Sequence, residues 1–301
     1  MHYTNFKKVA YTTLFVIFKR VFVVQYRHNK RNEVLSMINR STDGKQRVLS
    51  LSYGKDSLAC LGAIEQLGLP LDRIVHAEVW ATDTIQADLP PMVEFKAKAD
   101  AIIKERWGFE VEHIRASYCR GSANPTFEKI FYQTRKSGKY TSTLVGFPMT
   151  LAHWCQDLKN NAVKEANAVK GTRYIGIAID EPNRFHNLSE RQISPLVEIG
   201  WTEADCRKWC EDNDLLSPIY TSSARGGCWF CPVQPLEQLR ILRKSYPDLW
   251  SLLMKWDNDS PVPFRADGHT VHDFDRRFRL EDEGLIDPKV RFRWSMLETG
   301  E

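Results

Sequence analysis

The sequence has no apolar run long enough to cross a bilayer uninterrupted. Its most apolar stretch, Val9 to Val24, is broken by Lys19 and Arg20 and falls short of the roughly 20 apolar residues that a spanning helix needs. No small-residue cleavage site follows, only Gln25-Tyr26-Arg27-His28-Asn29-Lys30, so no secretory signal is expected. There is no internal repeat and no low-complexity tract, which sets solenoids and disordered linkers aside. Seven cysteines in 301 residues do not suggest a secreted disulfide scaffold, and a cytoplasmic protein is expected. A basic body is missing as well. Residues 1–46 carry nine Lys/Arg against Glu33 and Asp43, leaving 33 basic and 36 acidic residues beyond them, so charge alone does not argue for nucleic acid. Nor is there a Walker A loop: position 49, five before Gly54, is Leu, and Asp56 separates Lys55 from Ser57.

What is present is a soluble-type composition, 43% hydrophobic and 27% charged, sized for one α/β domain with a smaller appended region. The chain is organised around residues 47–57. Val48, Leu49 and Leu51 read as a short buried strand and Leu58 to Ile64 as the helix that follows. Gly54, in the tight turn between them, lets the backbone approach a ligand closely. Such a turn aims backbone N–H groups and a helix N-terminus at one point, which favours an anion. Lys55 adds a positive charge, and Ser52 and Ser57 add hydroxyls.

Downstream, residues 73–80 read as a second strand, 91–107 as a helix closed by Gly108, and 109–114 as a third strand. A polar and aromatic stretch from Ser117 to Met149 should hold one helix near 126–136. A helix over 152–169, a fourth core strand over 173–179 and a helix over 202–213 follow, with a helical pattern beyond Pro235. Strands alternating with helices predict a doubly wound, mostly parallel sheet. Three segments are expected: a basic extension over 1–46, with Met37 a candidate start; a nucleotide-binding domain over 47–235; and a helical C-terminal region over 236–301.

Ser52-Tyr53-Gly54-Lys55-Asp56-Ser57 resembles the Ser-Gly-Gly-Lys-Asp-Ser loop of the PP-loop, or N-type, ATP pyrophosphatases, with Tyr53 in place of the first glycine. Asp83-Thr84 resembles the strand-end Asp-Thr-Gly element of that superfamily, with Ile85 for the glycine; read by itself it is a helix N-cap. Gly176-Ile177-Ala178-Ile179-Asp180-Glu181-Pro182-Asn183-Arg184 resembles the Gly-Ile-Arg-x-Asp-Glu-x-x-Arg segment of its phosphoadenosine-phosphosulfate-reductase-like members, with Ala178 for the first arginine. The alternative for this acidic and basic run is a surface ion pair. The resemblance covers roughly residues 47–235 and implies the adenine nucleotide alpha hydrolase-like fold. It also implies ATP or a related adenine nucleotide as ligand. Ser52, Gly54, Lys55 and Ser57 would hold pyrophosphate, Asp56 would place Mg²⁺, and Arg184 would neutralise charge. Tyr53, Asp83, Thr84, Gly176, Asp180 and Glu181 complete the expected nucleotide site.

The cysteines suggest a second site. Cys228-Trp229-Phe230-Cys231 has the two-residue gap that lets adjacent thiolates grip one metal, a redox dithiol and buried packing being the alternatives. Trp154-Cys155-Gln156-Asp157-Leu158-Lys159 resembles, with one residue fewer before the leucine, the Trp-Cys-x-x-x-Leu-Lys helix start that faces such a pair in cluster-carrying relatives. Zn²⁺ or a [4Fe–4S] cluster on Cys155, Cys228 and Cys231 is therefore expected, with Cys119, then His153, as fourth ligand. Cys206 and Cys210 are expected to pack beside Trp201 and Trp209. No cysteine follows Cys231, so the nucleophile of true sulfonucleotide reductases is missing. The expected activity is cleavage of ATP between the α- and β-phosphates to adenylate an acceptor, in sulfur transfer or nucleic-acid modification. The rivals are a sulfonucleotide reductase with an external thiol, and a non-catalytic nucleotide- or nucleic-acid-binding module.

Overall fold

In the computed structural model, five parallel strands form the central sheet. They are β1 (Gln46–Ser50), β2 (Arg73–Glu78), β3 (Val111–Arg115), β6 (Gly171–Tyr174) and β7 (Gln192–Ile193), in the order β3-β2-β1-β6-β7. A separate two-stranded hairpin, β4 (Tyr118–Cys119) with β5 (Ser122–Ala123), turns through Arg120 and Gly121. The structure describes residues 38–138, 141–148, 154–166, 171–222, 227–291 and 293–297. The expectations for residues 1–36 and for His153 lie outside them. Ile38–Glu301 forms one compact unit, and no helix among the described residues is long and apolar enough to cross a membrane.

The period-two alternation of the strands sorts the core into two layers. Leu49 and Ile74 face α1 (Lys55–Leu67) and α2 (Pro90–Trp107), together with Leu196 of α6 (Pro195–Ile199) and Cys206 and Cys210 of α7 (Glu203–Asp212). Their neighbours Val48 and Val75 face the other way, against Ala166 of α4 (Gln156–Ala166). Helices on both faces of a parallel sheet make this a doubly wound α/β fold. Strand order reverses between β1 and β6. That switch point, outside the carboxyl ends of the strands, is where open α/β sheets bind ligands.

The helices after residue 235 do not stand apart. They are α9 (Leu236–Ser245), α10 (Pro247–Asp259) and α11 (Val271–Asp282). Leu239, Trp256 and Phe274 share one apolar cluster with Ala81, Phe131 and Leu158. Two elements are shorter than their patterns predict. The helix near 126–136 is α3, only Phe127–Phe131. The fourth core strand ends at Tyr174 rather than 179. The Ile175 N–H still donates to the Ile193 carbonyl (2.9 Å), but that of Ile177 turns back to Ile175 (3.1 Å). The physical reason is Gly176: a Cβ there would stand 2.5 Å from the Ser57 nitrogen, so the chain leaves the sheet to pass over the start of α1.

Helices α1 and α7 pack closely at one point. A Cβ on Gly62 would lie 2.3 Å from Cε2 and 2.4 Å from Nε1 of Trp209. The indole therefore rests directly on the α1 backbone. Gly62→Ala should cost about 1–3 kcal/mol through overpacking, read as a lower urea midpoint with unchanged slope. An unchanged unfolding curve would contradict this packing.

Candidate active site: an anion cradle and a three-thiol pocket

The turn from β1 into α1 lies at the switch point. Gly54 is the N-cap of the 13-residue α1, in extended conformation (φ −76°, ψ 156°), and no side chain caps the helix. The Gly54, Asp56 and Ser57 amides make no hydrogen bond among the described residues, while the Lys55 N–H donates to the Tyr220 hydroxyl (3.0 Å). A helix start left open in this way presents unpaired donors and the positive end of the dipole. The serines brace the turn from inside. The Ser52 N–H donates to Ser57 Oγ (3.1 Å), which donates to the Gly54 carbonyl (3.0 Å), and the two hydroxyls lie 3.0 Å apart.

Charged groups ring the opening. Lys55 Nζ lies 2.8 Å from Asp56 Oδ1 and 3.1 Å from Glu203 Oε1. Burial works against its charge, but the two carboxylates prevail and raise its pKa. Asp56 is shifted upward, chiefly by burial against the pull of Lys55. The oxygens of Asp56, Glu181 and Glu203 all lie within 4.8 Å of one another, a set of hard ligands suited to Mg²⁺. Glu203 escapes sequence reading because it looks like an ordinary first-turn acid, one residue after the Thr202 N-cap.

The segment after Gly176 supplies the rest of this rim. Asp180 accepts the Glu203 N–H (3.0 Å) and so fastens the segment to the start of α7. Arg184 is largely exposed and pairs with Glu181 at 2.5 Å, which brings it to the cluster through that residue. Asp83 and Thr84 are exposed at the end of β2; Asp83 pairs with Lys129 (2.6 Å). Neither caps a helix, because α2 starts later, at Pro90 after Leu89.

Tyr53 points away from the opening. Its ring is fully buried at a φ of +57°, and its hydroxyl bonds Asp100 and lies 3.2 Å from His113 Nε2. Beside it, His76 Nδ1 meets the Leu51 carbonyl (2.8 Å), and Nε2 meets the Lys96 ammonium (2.8 Å). His76, Glu78 and His113 also form a close three-ligand set, with the Lys96 ammonium on His76 Nε2 and a carboxylate on each nitrogen of His113. His76 is pushed down to about 4 by burial, with Lys96 adding, and is neutral at pH 7. One signal for this network is in the sequence: Lys96 falls on the buried stripe Met92, Phe95, Ala99, Ile103 of α2.

The second site forms because aromatic rings pull distant cysteines together. Phe127 packs against Trp154 (4.9 Å) and Phe230 (4.2 Å), and Trp229 stacks on Trp256 (5.5 Å, 12°). The Trp229 N–H donates to Ala87 (2.9 Å) and its indole N–H to Gln86 (3.0 Å). Cys155, Cys228 and Cys231 thereby come close enough to disfavour one another's thiolates. Burial pushes Cys155 up to about 11, with Cys231 adding, and pushes Cys228 up strongly. Cys155 and Cys231 line one cavity of about 390 Å³ with Pro148, Val233 and Arg265. The three sulfurs are not all within 4.8 Å of one another, whereas a tetrahedral zinc site with Zn–S near 2.3 Å sets its sulfurs about 3.8 Å apart.

Cys119 lies beside Asp157, Arg120 and Asn161, and burial raises its pKa. Cys206 and Cys210 are fully buried, as expected for packing, with the Cys210 thiol donating to the Lys55 carbonyl (3.2 Å).

No family model matches the chain, and no curated protein does. Among solved structures it is similar to a U34-tRNA thiolase, NcsA, from Methanococcus maripaludis, determined with its [4Fe-4S] cluster. The two are 16% identical with a TM-score of 0.36, over 81% of this chain and 78% of that one. This likeness is too low to bear on what the chain does.

If the thiol site is built as described, Cys119→Ser should leave it intact. Soft metal bound by the protein, measured by elemental analysis, should be lost on Cys228→Ser and retained on Cys119→Ser. Loss on both would place Cys119 among the ligands.

Proposed function

We propose that the chain binds ATP or a related adenine nucleotide at the cradle and cleaves it between the α- and β-phosphates. The observation that carries this reading is the uncapped N-terminus of α1 at the sheet's switch point, with unpaired amides at Gly54, Asp56 and Ser57. The resemblance of Ser52–Ser57 to the PP-loop supports it. The acceptor's nucleophile attacks the α-phosphorus, the P–O bond to the β-phosphate breaks, and pyrophosphate leaves with that electron pair. In this reading the open amides and Lys55 hold the leaving pyrophosphate, and Arg184 offsets its charge. Asp56, Glu181 and Glu203 would hold Mg²⁺, which would supply charge neutralisation at the phosphates.

Cys155, Cys228 and Cys231 would hold an iron–sulfur cluster. Soft thiolates are the usual ligands of such clusters. A cluster in the same chain as a nucleotide-activating site suits sulfur transfer to an adenylated acceptor, in nucleic-acid or small-molecule modification. The lack of any cysteine after Cys231 weighs against a sulfonucleotide reductase.

Pyrophosphate release from ATP, with and without candidate acceptors, tests the reading; sulfite release from a sulfonucleotide would select the reductase instead. Lys55→Ala should weaken ATP binding about 10- to 100-fold, the worth of one or two charged hydrogen bonds, with a melting temperature close to that of the parent. Unchanged affinity removes Lys55 from the site. Anaerobically purified protein should contain iron and labile sulfide; zinc alone would overturn the cluster.

A further inference from the structure

Tyr53 is the anomaly of the cradle. A positive φ strains any residue with a Cβ, by roughly 1–2 kcal/mol, and the Ser-Gly-Gly-Lys-Asp-Ser pattern has glycine at this position, tyrosine in its place being a departure that some phosphoadenosine-phosphosulfate-reductase-like loops share. Here a tyrosine holds φ +57° with its ring wholly buried. Such strain persists only where the surroundings over-determine it, and three elements do so. From α2, Asp100 accepts the Tyr53 hydroxyl, and the Lys96 ammonium lies 5.5 Å from the ring centroid. From β3, His113 Nε2 lies 2.8 Å from the second Asp100 oxygen and 3.2 Å from the Tyr53 hydroxyl. From β2, Glu78 meets His113 Nδ1 at 2.7 Å, and the His76 ring meets the Tyr53 ring edge-on at 4.8 Å. His76 also holds the Leu51 carbonyl, two residues before Tyr53.

We propose that Tyr53 is a positioning residue for the cradle. Its ring, fastened by Asp100 and His113, keeps the turn in the conformation that aims the Gly54, Asp56 and Ser57 amides at the nucleotide's phosphates. The side-chain network does what backbone freedom does where glycine occupies the position. The proposal rests on the nucleotide reading above.

His113 has a carboxylate at each ring nitrogen, a placement that requires both nitrogens to donate and hence the imidazolium. Asp100 first, and then Glu78, raise its pKa to about 9. A histidine raised in the folded state contributes stability that is complete below its unfolded value, near 6.5, and is lost as pH rises through about 9. Above that pH, Glu78 and Asp100 lose the cation between them, with Lys96 the remaining positive charge facing the ring. The hold on Tyr53 loosens, and nucleotide affinity should fall with it.

The test is equilibrium binding of ATP·Mg²⁺ between pH 7 and 10 to the full chain and to Tyr53→Phe, His113→Gln, the double variant and Lys55→Ala. Tyr53→Phe keeps the buried ring and removes only the hydroxyl, so it should fold. Each single network variant should weaken binding about tenfold at pH 7.5, and the double variant no more than the weaker single one. The parent's affinity should fall as pH rises through 9, and both variants should be flat there. Full affinity in Tyr53→Phe and His113→Gln, with Lys55→Ala weakened, would overturn the positioning role. Additive losses in the double variant would overturn it as well. No ATP·Mg²⁺ binding by the parent chain would instead mark failure of the nucleotide reading.

Discussion

The structure depends on one sharp turn between β1 and α1. It must reverse the chain while leaving the Gly54, Asp56 and Ser57 amides without a partner among the described residues, which ordinarily destabilises a helix end. The chain compensates from three directions. The two serines brace the turn from within. Gly176 lets the segment after β6 lie against the Asp56–Ser57 backbone from above. Below, His76 and the buried Tyr53 tie the turn to β2, β3 and α2. None of these supports takes a hydrogen bond from the Gly54, Asp56 or Ser57 amide.

The thiol pocket is built on different physics. No strand or helix dipole brings Cys155 to Cys228 and Cys231; aromatic packing does. Phe127 touches the ring that precedes the first cysteine and the ring between the other two. Burying several large rings in one cluster supplies strong, shape-selective association, and the small thiols are carried along at its edge. The helices beyond residue 235 take part through Trp256, which is why they pack into the same unit.

Between the two sites runs a short chain of buried charge. Lys96, 5% exposed, lies 2.8 Å from His76 Nε2 and 2.6 Å from Asp88. Asp88 in turn contributes to the upward shift of the Cys228 thiol, after burial. The carbonyls of Gln86 and Ala87 beside it anchor Trp229. A buried lysine with a carboxylate partner is stable only with close hydrogen-bonded contacts. Lys96 meets that condition by joining the floor of the cradle to the segment that carries the thiol turn.

The sequence by itself determined the alternation of strands and helices, the turn at Ser52–Ser57 and the candidate ligands. These follow from local rules: period-two and period-3.6 patterning, a glycine in a tight turn, and cysteines two residues apart. It also marked Tyr53 as a departure, though not what holds it. Tertiary structure alone decided which distant groups meet. Glu203 joins Asp56 and Glu181 because α7 packs on Gly62, and Cys119 comes to lie beside Asp157 and Asn161. His113 reaches Tyr53 because β2 and β3 pair in the register that sets His76 opposite His113. The fourth strand stops at Tyr174 because Gly176 must pass within van der Waals contact of α1, a constraint set by a neighbour more than a hundred residues away. Local patterning fixes the direction of a side chain within its own element; its partner is fixed only when the elements pack.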